Sequence, residues 1–196
     1  MKVEPFVYNE NRVNYITFLK YYPTKFKVDL EYQLNRKVVY DFKDGKMNES
    51  VDHLFVTAIN ILKYKNPMKT YFLCPIPGSK IITNNSRYLN FCARICNNTG
   101  ISNGFAMIKP ICDRDQVHIG AERNYSKILE SINFSNVSGK DIVLIDDVLT
   151  VGRSFKLISN HLFLLGANSV YGIILAKTNW LEDVPDVTSV ADNLPF

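Results

Sequence analysis

Ile142-Val143-Leu144-Ile145-Asp146-Asp147-Val148-Leu149-Thr150-Val151-Gly152-Arg153-Ser154 is the stretch whose reading decides the fold. Residues 141–145 are apolar after the first position and do not alternate with polar residues. That is how a parallel strand covered on both faces reads. The run is too short and too β-branched for a helix. Two carboxylates stand at its carboxyl end. A turn containing Thr150, Gly152 and Ser154 then leads into a helix expected over residues 153–165, with Gly166 at its end.

The chemistry of that order is specific. The first N–H groups of a helix and the amides of the turn before it form an anion site. Gly152 has no Cβ, so the backbone there can approach a phosphate closely. Thr150 and Ser154 add hydroxyl donors, and Val151 and Arg153 complete the loop. Asp146 and Asp147 would repel a phosphate, but they can accept hydrogen bonds from a diol or hold a divalent cation. A phosphate site beside a diol site describes a ribose 5-phosphate.

Outward from this centre, strands alternate with helices. Residues 12–43 carry β-branched and aromatic residues and are expected as strands, with residues 36–42 among them. Asn48 is expected to cap a helix running to about Tyr64, and Lys69–Ile76 reads as a strand. Residues 86–98 read as a helix with Leu89, Ala93 and Cys96 inward, closed by Gly100. Residues 104–108 read as a short strand, 110–120 as irregular, 121–132 as a helix and 168–176 as another buried strand. This predicts an α/β fold with a parallel sheet flanked by helices and a β-rich amino-terminal segment, in which ligands bind beyond the carboxyl ends of the strands. The 196 residues suit one domain. Within it, 1–50 is the β-rich segment, 51–177 the α/β core and 178–196 a polar tail.

The quoted stretch resembles the PRPP-binding motif of type I phosphoribosyltransferases, where PRPP is 5-phosphoribosyl-1-pyrophosphate. It departs from the family pattern at Val151, where a small hydroxyl residue or Ala is usual, which implies weakened phosphate contacts there. Pro75-Ile76-Pro77-Gly78-Ser79-Lys80 stands where the family carries its pyrophosphate loop. Arg87-Tyr88-Leu89-Asn90-Phe91, Gln116 and Glu122-Arg123-Asn124 are most similar to the ComF-like branch. The resemblance covers roughly residues 70–177 and lacks that branch's amino-terminal zinc ribbon.

The resemblance implies a transferase that binds PRPP with Mg²⁺ and passes phosphoribose to a nitrogen acceptor, releasing pyrophosphate. It implies that Asp146 and Asp147 hold the ribose hydroxyls, with Mg²⁺ nearby, and that residues 150–154 grip the 5-phosphate. Gly78, Ser79 and Lys80 would hold the pyrophosphate. Arg114, His118 and Arg123 would lie in a flap, and Lys177 and Trp180 would meet the acceptor base. Residues 1–50 would form a hood, and the family habit implies a homodimer. Two alternatives stay open: a PRPP-binding regulator or competence-related DNA-uptake protein without transfer, and a metal-only Asp-Asp site.

Composition sets outer bounds. Hydrophobic residues make up 46% and charged residues 21%, an ordinary globular balance. No apolar run is long enough to cross a membrane, and the start lacks a signal-peptide pattern, so a cytoplasmic protein is expected. The net charge of +4 suits an anionic ligand, but no basic stripe points to nucleic acid. Cys74, Cys92, Cys96 and Cys112 form no Cys-x-x-Cys pair and read as buried free thiols. His53, His118 and His161 are too scattered for a zinc site.

Overall fold

The computed structural model describes residues 6–10, 13–114 and 125–179. In chain order the first elements are β1 (Phe6–Glu10), β2 (Val13–Tyr21), α1 (Leu30–Lys43), α2 (Glu49–Lys65), β3 (Tyr71–Pro75) and α3 (Ile81–Thr99). Then come β4 (Ser102–Asn103), β5 (Ile108–Pro110), α4 (Tyr125–Glu130), β6 (Ile132–Phe134), β7 (Asp141–Leu149), α5 (Arg153–Leu164) and β8 (Ser169–Thr178). The chain is an α/β protein built on a parallel sheet flanked by helices, as its alternating strands and helices predict.

The main sheet has the order β1-β2-β8-β7-β3-β4. Every neighbouring pair in it is parallel except β1 with β2. β7 lies near its middle, between β3 and β8, and Ile142, Val143, Leu144 and Ile145 are all fully buried. The strand's period of two divides them between two cores. Val143 and Ile145 join Ile173 and Leu175 against Val39, Phe42, Phe55, Phe91 and Ile95 of α1–α3. Ile142 and Leu144 join Val170 and Ile174 against Phe155, Ile158 and Leu162 of α5, with Ile108 and Ile132 of the small β5–β6 sheet. Each such side chain contributes roughly 1.5–3 kcal/mol on burial, so the strand bearing the two acids is firmly seated. Close packing also explains Gly172. A Cβ there would lie 2.6 Å from Phe155 Cζ and from Tyr15 Cβ.

Several expectations need correction. Residues 30–43 form a helix, although the β-branched and aromatic run at 36–42 suggested a strand. Asp29 caps it by accepting from Tyr32 N at 3.2 Å. Asn35, Val39 and Phe42 recur at helical spacing on its buried face. Arg36 then ties it to the carbonyls of Tyr22, Pro23 and Phe26. Of residues 12–43, strand holds only over β2, which joins the main sheet beside β8.

α2 begins at its Asn48 cap as expected. α3 begins five residues earlier than the expected 86, and its inward face is Tyr88, Phe91, Cys92, Ile95 and Cys96. Leu89 is 51% exposed and Ala93 is exposed, because Tyr88 and Phe91, packed on Phe42, turn the other face of the helix inward. Of the strand expected over 104–108 only Ile108 is strand; residues 104–107 are a turn joining β4 to β5, which lie in different sheets. A Cβ at Gly104 would sit 2.4 Å from Cys74 Sγ, so the chain turns there on a residue without one. Of the helix expected over 121–132, residues 125–130 are helix and 132 begins a strand, while 121–124 lie outside the described residues. β7 continues through both acids to Leu149. Cys112 is exposed, while the other three cysteines are buried and all four are free. Among the described residues no helix is long and apolar enough to cross a membrane.

Candidate functional site

β7 carries Asp146 and Asp147 out at the carboxyl edge of the sheet, where α3 meets them from the neighbouring layer. Tyr88 donates its hydroxyl to Asp146 Oδ1 at 3.1 Å, and the Asp147 amide donates to the same oxygen at 2.8 Å. Arg87 Nη1 forms a hydrogen-bonded ion pair with Asp147 Oδ2. Lys43 Nζ stands 4.0 Å from the other Asp147 oxygen, and Arg87 Nε donates to the Lys43 carbonyl at 3.1 Å. The two acids therefore differ in circumstance. Asp147 is buried and charge-compensated. Asp146 is pushed up to about 7 by burial and then by the Asp147 charge, against the pull of the two donors and Arg87. Burial also holds the Tyr88 hydroxyl well above its ordinary value, so it is a proton donor at neutral pH.

The turn after β7 runs from Thr150 to Gly152 and leads directly into α5. Gly152 takes φ +70°, a left-handed conformation that favours glycine. It is the N-cap of α5 and, being glycine, offers that helix end no side-chain cap. Val151 is 60% exposed, Thr150 and Arg153 are exposed and Ser154 is half-buried, while Leu149 is buried beneath them. α5 therefore begins a few residues beyond the two acids, behind an exposed turn.

The loop after β3 lies next to this turn, because β3 pairs with β7 and Ile76 N donates to Ile145 O at 2.9 Å. Gly78, Ser79 and Lys80 are thus brought near the acids. The Gly78 amide donates to Asn84 Oδ1 at 3.1 Å. Lys80 is the exposed N-cap of α3 and offers it no side-chain bond. Arg114 lies along this loop, its Nη2 donating to the carbonyls of Pro77 and Gly78 at 3.0 and 2.9 Å. His118, Arg123 and Trp180 lie outside the described residues. Lys177, next to last in β8, pairs with Leu149, and its Nζ lies 6.0 Å from the Tyr15 ring centroid.

The residues that sequence reasoning missed come from elsewhere in the chain. Arg87 and Tyr88 were noted only for their resemblance, and they reach the acids across 60 and 58 residues of sequence. Nothing in a lone Arg-Tyr pair on a helix marks it as a partner for a distant strand. Tyr21 and Tyr40 also gather at this corner, with hydroxyls 3.3 Å apart and Lys43 Nζ 5.9 Å from the Tyr21 ring centroid. Burial, then the Tyr40 hydrogen bond, pushes Tyr21 up to about 12.

The donor set suits Mg²⁺ only in part. Among the described residues no group of three or more His, Cys, Asp or Glu side chains could hold a metal. Asp147 is engaged by two cations, and Asp146 Oδ1 by two donors. A cation held chiefly by substrate oxygens, with Asp146 adding its other oxygen, fits these residues, since Mg²⁺ is commonly held by one or two carboxylates plus substrate phosphates.

No family model matches the chain, and no curated protein matches it. Solved structures of hypoxanthine phosphoribosyltransferases are similar to it. One from Staphylococcus aureus is 16% identical with a TM-score of 0.45, the match covering 66% of this chain and 64% of that one. A hypoxanthine-guanine phosphoribosyltransferase from Bacillus anthracis is 10% identical with a TM-score of 0.44, covering 67% and 70%. The Trypanosoma cruzi hypoxanthine phosphoribosyltransferase is 11% identical with a TM-score of 0.40, covering 75% and 73%. At these identities and scores the likeness says nothing about what the chain binds.

Proposed function

We propose that this protein binds PRPP at the carboxyl ends of β7 and β3 and transfers its phosphoribosyl group to a nitrogen acceptor. The observation that carries this reading is one continuous strand, turn and helix. Asp146 and Asp147 lie near the carboxyl end of the buried strand, the second of them two residues short of its end at Leu149, and Gly152 then turns the chain in a left-handed conformation into α5. An anion at the α5 amides and a diol at the acids are joined over a few residues, as in a ribose 5-phosphate.

In the proposed reaction the bond between the anomeric carbon and the pyrophosphate oxygen breaks, and its electron pair leaves with pyrophosphate. The acceptor nitrogen's lone pair forms the new bond, and any surplus proton passes to solvent or product. The protein's share is chiefly positioning and electrostatic stabilisation. Residues 150–154 anchor the 5-phosphate. Asp146 accepts from a ribose hydroxyl while Tyr88 and the Asp147 amide fix its orientation. Arg87 holds Asp147 in place through their hydrogen-bonded ion pair. Bound Mg²⁺ would supply charge neutralisation at the leaving pyrophosphate, with Asp146 as its protein ligand. Lys177, Tyr21 and Tyr40 stand on the β8 and β2 side, where an acceptor would enter.

A second reading, ribose-phosphate binding without transfer, draws support from the Gly78 amide already satisfied by Asn84. Calorimetric titration of PRPP with Mg²⁺ into the wild type and an Asp146→Asn/Asp147→Asn double variant tests the shared core of both. Binding that the double variant loses supports the site. No binding by the folded wild type overturns it. Pyrophosphate release in an acceptor screen then separates transferase from binder.

A further inference from the structure

α3 has an unusual start. Its N-cap, Lys80, offers no side-chain hydrogen bond to the helix, so the cap comes from a distant segment. Asp113 Oδ1 accepts from Ile81 N at 2.9 Å, across 32 residues. The next residue, Arg114, fastens the same segment to the loop before α3. Its amide donates to Ser79 O at 2.7 Å, and its Nη2 to the carbonyls of Pro77 and Gly78. A carboxylate therefore occupies the positive end of a 19-residue helix, at the loop assigned above to pyrophosphate.

A second, independent observation lies in the first turn of the same helix. Asn84 is 1% exposed, and its Oδ1 is turned to the loop, where it accepts from Gly78 N. Its Nδ2 is buried with no hydrogen-bond partner among the described residues. An unmatched buried donor beneath a loop is costly unless something accepts from it. Asp113, by contrast, is exposed and sits on the surface side of the helix end. It can leave at little cost in packing.

We propose that Asp113 is an internal anion standing in the pyrophosphate subsite, and that pyrophosphate binds there by displacing it. This rests on the reading that PRPP is the ligand. Residues 113–114 are a latch. Closed, they neutralise the α3 terminus and hold the loop by its carbonyls. Open, they release the Ile81 amide to an incoming phosphoryl oxygen, with the Asn84 donor beneath. The apparent affinity for pyrophosphate is then reduced by the fraction of molecules in which the latch is closed. Asparagine at 113 keeps an acceptor for Ile81 N but gives up both the attraction to the helix end and the repulsion of the incoming anion.

The test is titration calorimetry of inorganic pyrophosphate with Mg²⁺ into the wild type, Asp113→Asn and Asp113→Ser. Both variants are expected to bind it tighter by about threefold or more. Ribose 5-phosphate, which would touch only residues 146–154, is expected to bind all three proteins equally. Equal or weaker pyrophosphate binding by both variants, or none by any protein, overturns the latch. Ribose 5-phosphate binding to none of the three would overturn the PRPP reading instead.

Discussion

Asp146 shows most directly that function and stability pull apart at this site. Its carboxyl is pushed from 3.8 to about 7, first by burial and then by Asp147. Between those two values the folded chain holds a proton that the unfolded chain has released. Stability from this group is therefore fully present below about pH 4 and is lost as pH rises through 7. Asn at 146 keeps an acceptor for Tyr88 and for the Asp147 amide, and it carries no charge. Asp146→Asn is expected to raise Tm on the order of 5 °C at pH 8, with the gain fading towards pH 4. Calorimetric melts at the two pH values check this. A variant that melts lower than wild type at pH 8 would show that the charge is better solvated than its burial implies.

At the scale of elements, Arg87 matters because it joins three of them. It rises from α3, pairs with Asp147 on β7 and donates to the last residue of α1, Lys43. Replacing it leaves Asp147 buried with only the more distant Lys43. Breaking a buried pair from one side costs about 3–5 kcal/mol. Arg87→Met is expected to destabilise by about that amount in urea unfolding. Adding Asp147→Asn should recover part of the loss, so that the two single effects exceed the double by about 1–3 kcal/mol. Simple additivity would mean that the two side chains are not coupled.

This same scale shows where sequence reading stops. α2, β7, α5 and β8 were legible because caps, apolar runs and terminal glycines mark them locally. α1 was not, since Val38, Val39 and Tyr40 are as suited to a strand as to a helix until Asp29 caps them and Asn35, Val39 and Phe42 find a core. α3 was legible as a helix but not in its facing. Leu89 is a fair core residue by itself, and only the packing of Tyr88 and Phe91 around Phe42 turns it out to solvent.

For the molecule as a whole, the order of strands sets where it is strongest. β7 and β8 are paired on both edges and covered on both faces, whereas β5 and β6 form a pair of three residues each. In native-state hydrogen exchange, the amides of residues 142–145 and 173–176 are expected to exchange only by global unfolding. Those of β5 and β6 are expected to exchange by local opening. Equal protection in the two sheets would show that β5 and β6 open only with the main core.

The turn chemistry of the candidate site was determined locally. An apolar run, two acids, a glycine and a helix start follow each other in one segment, and each acts on its immediate neighbours in the chain. The sequence by itself therefore specified the strand, the turn and the side chains offered to a ligand. The tertiary structure alone decided how those side chains are held. Arg87 and Tyr88 reach the acids, and Asp113 and Arg114 reach the loop before α3, through contacts more than 30 residues apart in the chain. Such contacts carry no local signature, because they depend on which strands are neighbours and which helix faces the sheet. Both are settled only when the whole core is packed.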